Sequence, residues 1–280
     1  MSNSVSDGPG LHQCRILILV MATARQPWAR YQQVQQQTWC ATVPGDIQVL
    51  RYFKTGAIMP LAPHASAIRE AMRFGRKGHL QRVGDHQLNW RARRMQPQTH
   101  VRADGDLEVS VPDFIHWNGV ATIAALQWAL QSCQFDFVLR VNSSAYVNPP
   151  ALAEFITELD PHHEIYAGSI ESGSKFWGFD FINGAAVLLS RRVVERVMTH
   201  SSQWDHRFTD DASLGLLARE LGIRPISMPV LRISTDRELN ELDAKRAREQ
   251  VAIRFKSTEE PRLEEPRMLR VHELLMQADS

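Results

Sequence analysis

Two adjacent carboxylates, Asp210 and Asp211, precede a segment with the composition of a helix, residues 212–221. A carboxylate at the start of a helix is stabilised as an anion by the helix dipole, so either residue could act as a general base. Either could equally be the N-cap of that helix. Since one helix needs only one N-cap, the second carboxylate remains available for chemistry.

A neutral polar tract, Asn142-Ser143-Ser144, follows an apolar run over residues 137–139 that is typical of a short buried strand. In an open α/β sheet, ligands bind at the carboxyl ends of the strands. The amide and hydroxyl groups of the tract could hold ribose or phosphate oxygens by hydrogen bonds. They are poor ligands for Mg²⁺ or Mn²⁺, because these ions prefer anionic oxygen.

Three basic side chains could supply positive charge to a phosphate group without a metal ion. Arg140 lies just before the tract, and Arg254 and Lys256 lie in an isolated patch over residues 253–256. Arginine offers two parallel N–H donors to phosphate oxygens. The alternative for Arg254 and Lys256 is an exposed, charged strand.

Thr23 and Arg25 follow the first predicted strand, in the stretch Ala22-Thr23-Ala24-Arg25, whose first three residues are small. Small residues at the end of a strand let a ligand approach the backbone closely, which makes both residues candidate ligand contacts. The alternative is that they only cap the loop.

The elements that must position these residues alternate between apolar runs and amphipathic segments. Strands are predicted over residues 15–22, 47–53, 107–111, 135–141, 165–168, 181–189 and 230–233. Helices are predicted over residues 28–39, 118–132, 151–159, 191–199 and 212–221, with Ser190 as the N-cap of the fourth. This order predicts an α/β fold with a Rossmann-like mixed sheet flanked by helices.

The chain is predicted to form a single domain with an insertion near residues 56–105. Residues 1–13 are expected to be a flexible tail, residues 14–235 the main domain, and residues 236–280 a charged C-terminal segment that packs on the ligand site. The insertion is rich in Arg, His and Gln. It is interpreted as a solvated edge, or alternatively as a lid or a surface for an anionic ligand.

Composition excludes several classes of protein. A net charge of +1 over 280 residues gives no general attraction to nucleic acid. The three cysteines are scattered, and the pair His162-His163 lacks the i, i+4 helical spacing of a zinc site. No apolar run approaches the roughly 20 residues of a transmembrane helix. A soluble, cytoplasmic protein without a transmembrane segment is therefore expected.

Three groups of residues follow one another in a recognisable order: Gln37-Thr38-Trp39, residues 126–148, and residues 183–191 followed by 210–215. Together they resemble the β-1,3-glycosyltransferases of the Fringe and galactosyltransferase type, which have the GT-A fold. The first resembles the end of an Ile-Arg-x-Thr-Trp motif. The second resembles the block that contains the metal-binding aspartates, replaced here by Asn-Ser-Ser. The third resembles the Gly-rich acceptor strand and the Glu-Asp-Val-x-x-Gly motif.

The resemblance implies an inverting hexosyltransferase of polysaccharide biosynthesis, which moves a sugar from a nucleotide-sugar donor, favoured to be UDP-linked. The acceptor would be a hydroxyl of a glycan or of a lipid-linked sugar. Asp211 matches the aspartate of the last motif and is the candidate base, with Asp210 beside it. Trp177, Asn183 and Gly184 would flank the acceptor.

The donor would be held by six residues near the strand ends, Thr23, Arg25, Arg140, Asn142, Ser143 and Ser144, and by two basic residues of the C-terminal patch, Arg254 and Lys256. No metal cofactor is predicted; Mn²⁺ or Mg²⁺, held elsewhere, is the alternative. A rival interpretation is an inactive protein of the same fold that binds a nucleotide sugar or a glycan.

Overall fold

The computed structural model describes residues 13–56, 79–172, 178–257 and 263–277. The strands in these ranges are β1 (Ile16–Ala22), β2 (Ile47–Lys54), β3 (Thr99–Val101), β4 (Leu107–Val109), β5 (Phe137–Val141), β6 (Ala145–Val147), β7 (Tyr166–Ser172), β8 (Asp180–Ser190), β9 (Ile226–Ser227), β10 (Val230–Ile233) and β11 (Ala252–Phe255). The helices are α1 (Trp28–Gln37), α2 (His79–Arg94), α3 (Asn118–Ser132), α4 (Pro149–Thr157), α5 (Arg191–Thr199), α6 (Asp210–Glu220), α7 (Asp236–Asn240), α8 (Ala244–Arg248) and α9 (Glu264–Gln277).

The main sheet is mixed and has the strand order β3-β4-β2-β1-β5-β8-β7-β9. Strands β4, β2, β1 and β5 run parallel, whereas β8 is antiparallel to both β5 and β7. Residues 16–20 of β1 are at most 1% exposed, because helices cover both faces of this central strand. A strand buried on both faces is continuously apolar, as this one is.

A second sheet, with the order β10-β11-β6, lies beside the first. Strand β6 follows β5 directly, so residues 142–144 form the link between the two sheets. One hydrophobic cluster packs α3, α5 and α6 on the main sheet. Another packs α1, α4, α9 and the second sheet on its opposite face. The mixed sheet flanked by helices confirms the predicted α/β class.

The predicted tail, residues 1–13, and the predicted insertion near residues 56–105 are only partly described. Residues 1–12 and 57–78 lie outside the described ranges. In the described part of the insertion, Arg93 on α2 donates to the backbone oxygen of Trp204 at 3.2 Å, which ties α2 to the domain. At the C-terminus, β11 pairs in register with β10 across the predicted boundary at residue 235.

Within the described ranges, no helix is long and apolar enough to cross a membrane.

Candidate functional site

The parallel strands end at one edge of the main sheet, and the polar tract lies at that edge. The side-chain oxygen of Asn142 accepts hydrogen bonds from the backbone N–H and the hydroxyl of Ser144, both at 3.2 Å. This is an Asx turn, in which the side chain bonds to its own backbone two residues on. Ser143 within it is buried. These two hydrogen bonds fix the shape of the turn.

Gln35 holds this turn from α1, and sequence reasoning missed it. Its side-chain amide donates to the backbone oxygens of Asn142, at 3.0 Å, and Ala145, at 2.7 Å. The side chain is almost completely buried. A glutamine on the apolar face of an amphipathic helix is the signal that could have identified it, because a buried amide needs partners.

Arg140 pairs with the first of the two aspartates in the interior. Its guanidinium contacts the carboxylate of Asp210 and donates to the backbone oxygen of Gly184. Arg140 is only 5% exposed. Burial favours its neutral form, but the nearby Asp210 carboxylate outweighs burial and raises the pKa of Arg140. The placement differs from the expected one, since Arg140 faces the aspartates rather than an open donor site.

Asp211 is held by backbone groups of two elements. One oxygen accepts from the N–H of Gly184 on β8 at 2.8 Å, and the other accepts from the N–H of Ala212 on α6 at 2.9 Å. The N-cap position of α6 is Thr209, which makes no side-chain cap bond. Neither aspartate therefore occupies the N-cap position, and Asp211 instead joins the start of α6 to β8.

Glycines allow α6 and Arg140 to approach β8 this closely. A Cβ on Gly184 would lie 2.9 Å from a guanidinium nitrogen of Arg140 and 2.9 Å from a carboxylate oxygen of Asp211. A Cβ on Gly215 of α6 would lie 2.3 Å from the Cβ of Phe181 on β8. Gly184 and Gly215 are therefore glycines for a steric reason, because a side chain at either position would collide with its neighbours.

Thr23 and Arg25 meet Asp113 at the carboxyl ends of β1 and β4. The hydroxyl of Thr23 donates to Asp113 at 2.5 Å and accepts from the backbone N–H of Arg25 at 3.1 Å. The second bond is the loop-capping geometry considered as the alternative for Thr23. The guanidinium of Arg25 lies 4.5 Å from the ring centroid of Phe114.

Lys54, at the end of β2, completes this group and was also missed. Its ammonium lies 3.0 Å from Asp113 and donates to Asn118 at 2.7 Å. Burial lowers the pKa of Lys54, although Asp113 opposes that effect. Two sequence signals could have identified this cluster. Lys54 is the last residue of the largely apolar strand β2, and Asp113 follows strand β4 after a few residues.

An open cleft of about 400 Å³ separates β7 and β8 from β10 and β11. Asn183, Arg254 and Lys256 line it together, and so do Glu171 and Arg232, which had not been predicted. The amide of Asn183 donates to Glu171 at 2.9 Å. Trp177, the remaining predicted acceptor residue, lies outside the described ranges.

The polar tract does not fit a divalent metal ion. It contains no carboxylate, and the side-chain oxygen of Asn142 is already used by the turn. In the described part of the chain, no group of three or more His, Cys, Asp or Glu side chains is arranged to hold a metal ion.

The family model described as Fringe-like matches residues 120–267, which is more than half of the 280 residues. No curated protein is significantly similar in sequence.

Similar solved structures include three glycosyltransferases. One is involved in the glycosylation of the major capsid of PBCV-1, with 14% identity, a TM-score of 0.44, and coverage of 92% of this chain and 98% of that chain. The galactosyltransferase LgtC, crystallised with donor and acceptor sugar analogs, has 13% identity, a TM-score of 0.46, and coverage of 92% and 95%. GlyE of Streptococcus pneumoniae has 11% identity, a TM-score of 0.46, and coverage of 94% and 62%.

Proposed function

The chain belongs to the Fringe-like family of glycosyltransferases, and from that premise we propose an inverting, metal-independent transfer from a UDP-linked sugar to a glycan or lipid-linked sugar hydroxyl. The observation that carries the proposal is the position of Asp211. Its carboxylate is fixed between α6 and β8 by the backbone N–H groups of Gly184 and Ala212. Asn183, the neighbour of Gly184, lines the open cleft.

In the proposed reaction, the acceptor hydroxyl attacks the anomeric carbon from the side opposite the diphosphate. Asp211 takes the hydroxyl proton while the new carbon–oxygen bond forms. The bond between the anomeric carbon and the diphosphate oxygen breaks, and the nucleoside diphosphate leaves with the electron pair. This single displacement inverts the anomeric configuration.

The predicted site residues divide between positioning and substrate contact. Arg140 pairs with Asp210, and we assign both to positioning, because their charges are directed at one another in the interior. Thr23 and Arg25 would contact the nucleotide, and Asn142, Ser143 and Ser144 would shape the turn beneath the diphosphate. Asn183 and Gly184 remain candidates on the acceptor side.

Metal independence rests on the chemistry of the groups that face the diphosphate. Hard cations prefer anionic oxygen ligands, which the Asn142 turn lacks. The Arg254 and Lys256 side chains, which line the adjacent cleft, offer positive charge to a leaving diphosphate in place of a metal.

Substitution of Asp211 by asparagine tests the base assignment. Because a general base contributes roughly 10²- to 10⁴-fold to rate, Asp211→Asn should lose transfer by that order while still binding the nucleotide sugar. Transfer is measured with radiolabelled nucleotide sugars, and donor binding by calorimetry. Asp160→Asn, a change at a partly exposed carboxylate outside the cleft, is the matched control. Undiminished turnover by Asp211→Asn would show that another group is the base.

An inactive binding protein of the same fold is the second candidate, because the family's metal-binding acids are replaced by Asn142-Ser143-Ser144. Donor turnover measured in EDTA and in Mn²⁺ distinguishes the two candidates. Turnover in either condition excludes the inactive protein. Turnover in Mn²⁺ alone would contradict the metal-independent mechanism but would still support transferase activity.

A further inference from the structure

Arg232 and Arg254 are register partners on the adjacent parallel strands β10 and β11. Partners of this kind are about 4.8 Å apart and project from the same face of a sheet. Both line the cleft. Two like charges side by side on a sheet destabilise it unless an opposite charge lies nearby.

Carboxylates lie in the neighbourhood of both arginines, since Asp211 and Glu264 oppose part of the fall in the pKa of Arg254 and Arg232 helps to lower the pKa of Glu238, but among the described residues none of them forms an ion pair with either guanidinium. No hydrogen bond or ion pair joins either guanidinium to the described part of the chain. Arg254 is partly buried, and burial together with Arg140 lowers its pKa to about 10. Glu171, the acid that lines the same cleft, accepts a hydrogen bond from Asn183 at 2.9 Å. The cleft thus presents two unpaired guanidinium groups to whatever occupies it.

Arg254 lies next to the polar tract, and Arg232 lies one strand farther from it. Arg254 is paired with Ala145, the residue after the tract, and the next residue, Phe255, donates its N–H to the backbone oxygen of Ser144 at 2.9 Å. Arg254 therefore lies beside the strand end at which a ligand of this sheet binds. Arg232 lies one strand farther along the same face.

We propose that Arg232 and Arg254 form a subsite for a diphosphate group, each guanidinium binding one side of it. The guanidinium forks match phosphate oxygens in geometry and charge, and two adjacent forks suit two adjacent phosphates. The inference deepens the proposed function and rests on it for the source of the ligand. That source is either the nucleoside diphosphate of the donor or the diphosphate of a lipid-linked acceptor.

Binding of inorganic pyrophosphate tests the subsite without any need for turnover. Calorimetry in EDTA compares the wild type with Arg232→Gln and Arg254→Gln. Loss of a charge-assisted hydrogen bond should weaken binding by roughly tenfold or more in each variant, and each should show a shallower salt dependence. Arg224→Gln is the matched control, because Arg224 is exposed and is not among the residues that line the cleft.

The variants are checked for folding by near-ultraviolet circular dichroism, and Arg232→Lys should recover part of the affinity, because it restores charge without the fork. Wild-type affinity for pyrophosphate in Arg232→Gln would overturn the assignment of Arg232. Equal losses in Arg232→Gln and Arg224→Gln would also overturn it, because they would indicate a general effect of net charge.

Competition identifies the source of the diphosphate. Displacement of pyrophosphate by UDP supports the donor, and displacement by geranyl diphosphate supports a lipid-linked acceptor. Failure of both to displace it would overturn the subsite. Arginine-dependent pyrophosphate binding in a protein that transfers no sugar would refute the proposed function and leave the subsite standing. If the protein transfers sugar and both variants bind pyrophosphate as the wild type does, the proposed function stands and the subsite is refuted.

Discussion

Asp210 and Asp211 are adjacent in the chain, yet their carboxylates are held by different kinds of group. Asp210 is paired with a buried guanidinium, that of Arg140. Asp211 is held by two backbone N–H groups, which fix its direction without neutralising its charge. A general base must be both ionised and correctly placed, so the second arrangement suits proton transfer better than the first.

The approach of Gly184 to both groups makes it a sensitive position. In Gly184→Ala, the new methyl group would lie 2.9 Å from Arg140 and from Asp211, so the Asp211 carboxylate must move. Displacement of a catalytic group by about 1 Å can cost roughly 100-fold in rate. We expect a decrease of that order in kcat, measured under donor saturation. Gly45→Ala is the control, because a Cβ there meets nothing within 4 Å; similar kinetics for the two variants would contradict this view of Gly184.

Strand β8 connects the site to the rest of the fold, because Gly184 lies within it and its last residue, Ser190, caps the following helix. Ser190 caps α5 by accepting from the N–H of Val193 at 3.4 Å. The same hydroxyl accepts from the N–H of Ile165 at 3.1 Å and donates to the backbone oxygen of His163 at 2.8 Å. Ser190 therefore joins a helix start to the segment before β7.

This double role predicts a larger effect than that of an ordinary helix cap. Loss of a cap costs about 1 kcal/mol, and a buried donor left unsatisfied costs about 1–3 kcal/mol more. Ser190→Ala should therefore lower the free energy of unfolding by about 2–4 kcal/mol. Thr235→Ala, which removes the exposed cap of α7, should lower it by about 1 kcal/mol. Urea denaturation measures both; equal effects would mean that the bonds to Ile165 and His163 contribute nothing.

At the scale of the whole molecule, the C-terminal helix α9 connects helix α1 to the chain just after β10. Glu264 accepts from the hydroxyl of Tyr31 on α1 at 2.9 Å. Arg267, which is almost completely buried, donates to Asp236 at 2.8 Å and to the backbone oxygen of Ser234 at 2.9 Å. Helix α9 thus binds the helix that supports the Asn142 turn to the chain just after β10.

Global stability should depend on pH through His206. Burial, helped by Arg93, lowers its pKa from 6.5 to about 4. Between these two pH values, His206 binds a proton in the unfolded chain but not in the folded protein. The contribution of His206 to the free energy of unfolding is therefore fully present above pH 6.5 and is lost as the pH falls towards 4. At about 1.4 kcal/mol per pKa unit, the loss is about 3 kcal/mol.

The substitution His206→Phe isolates this contribution, because it keeps a ring of similar size against Trp204. We expect the free energy of unfolding of His206→Phe, measured by urea denaturation between pH 4 and 7, to change less steeply with pH than that of the wild type. Carboxylates contribute equally to both proteins and cancel in the difference. His163→Gln, at a side chain 77% exposed, should retain the wild-type slope; a wild-type slope in His206→Phe would refute the assignment.

Most of the elements could be predicted from the sequence because their signals are local. The continuous apolar run of β1, the amphipathic pattern of α3 and the cap at Ser190 each depend on neighbouring residues. The order of these elements was enough for the α/β class and for the family. The candidate residues Asp211, Asn183, Arg254 and Lys256 were also identifiable, since each lies in or beside a recognisable motif or patch.

The partners of those residues depended on contacts that no local pattern encodes. Arg140 meets Asp210 across 70 positions of chain, and Gln35 meets Asn142 across 107. Arg232 lies beside Arg254 because β10 and β11 pair in one particular register. A shift of one residue would turn every side chain of the strand to the opposite face. The sequence alone thus determined which residues could do chemistry, and the tertiary structure decided which of them line the cleft and which pair in the interior, because strand register and helix packing set the direction of each side chain.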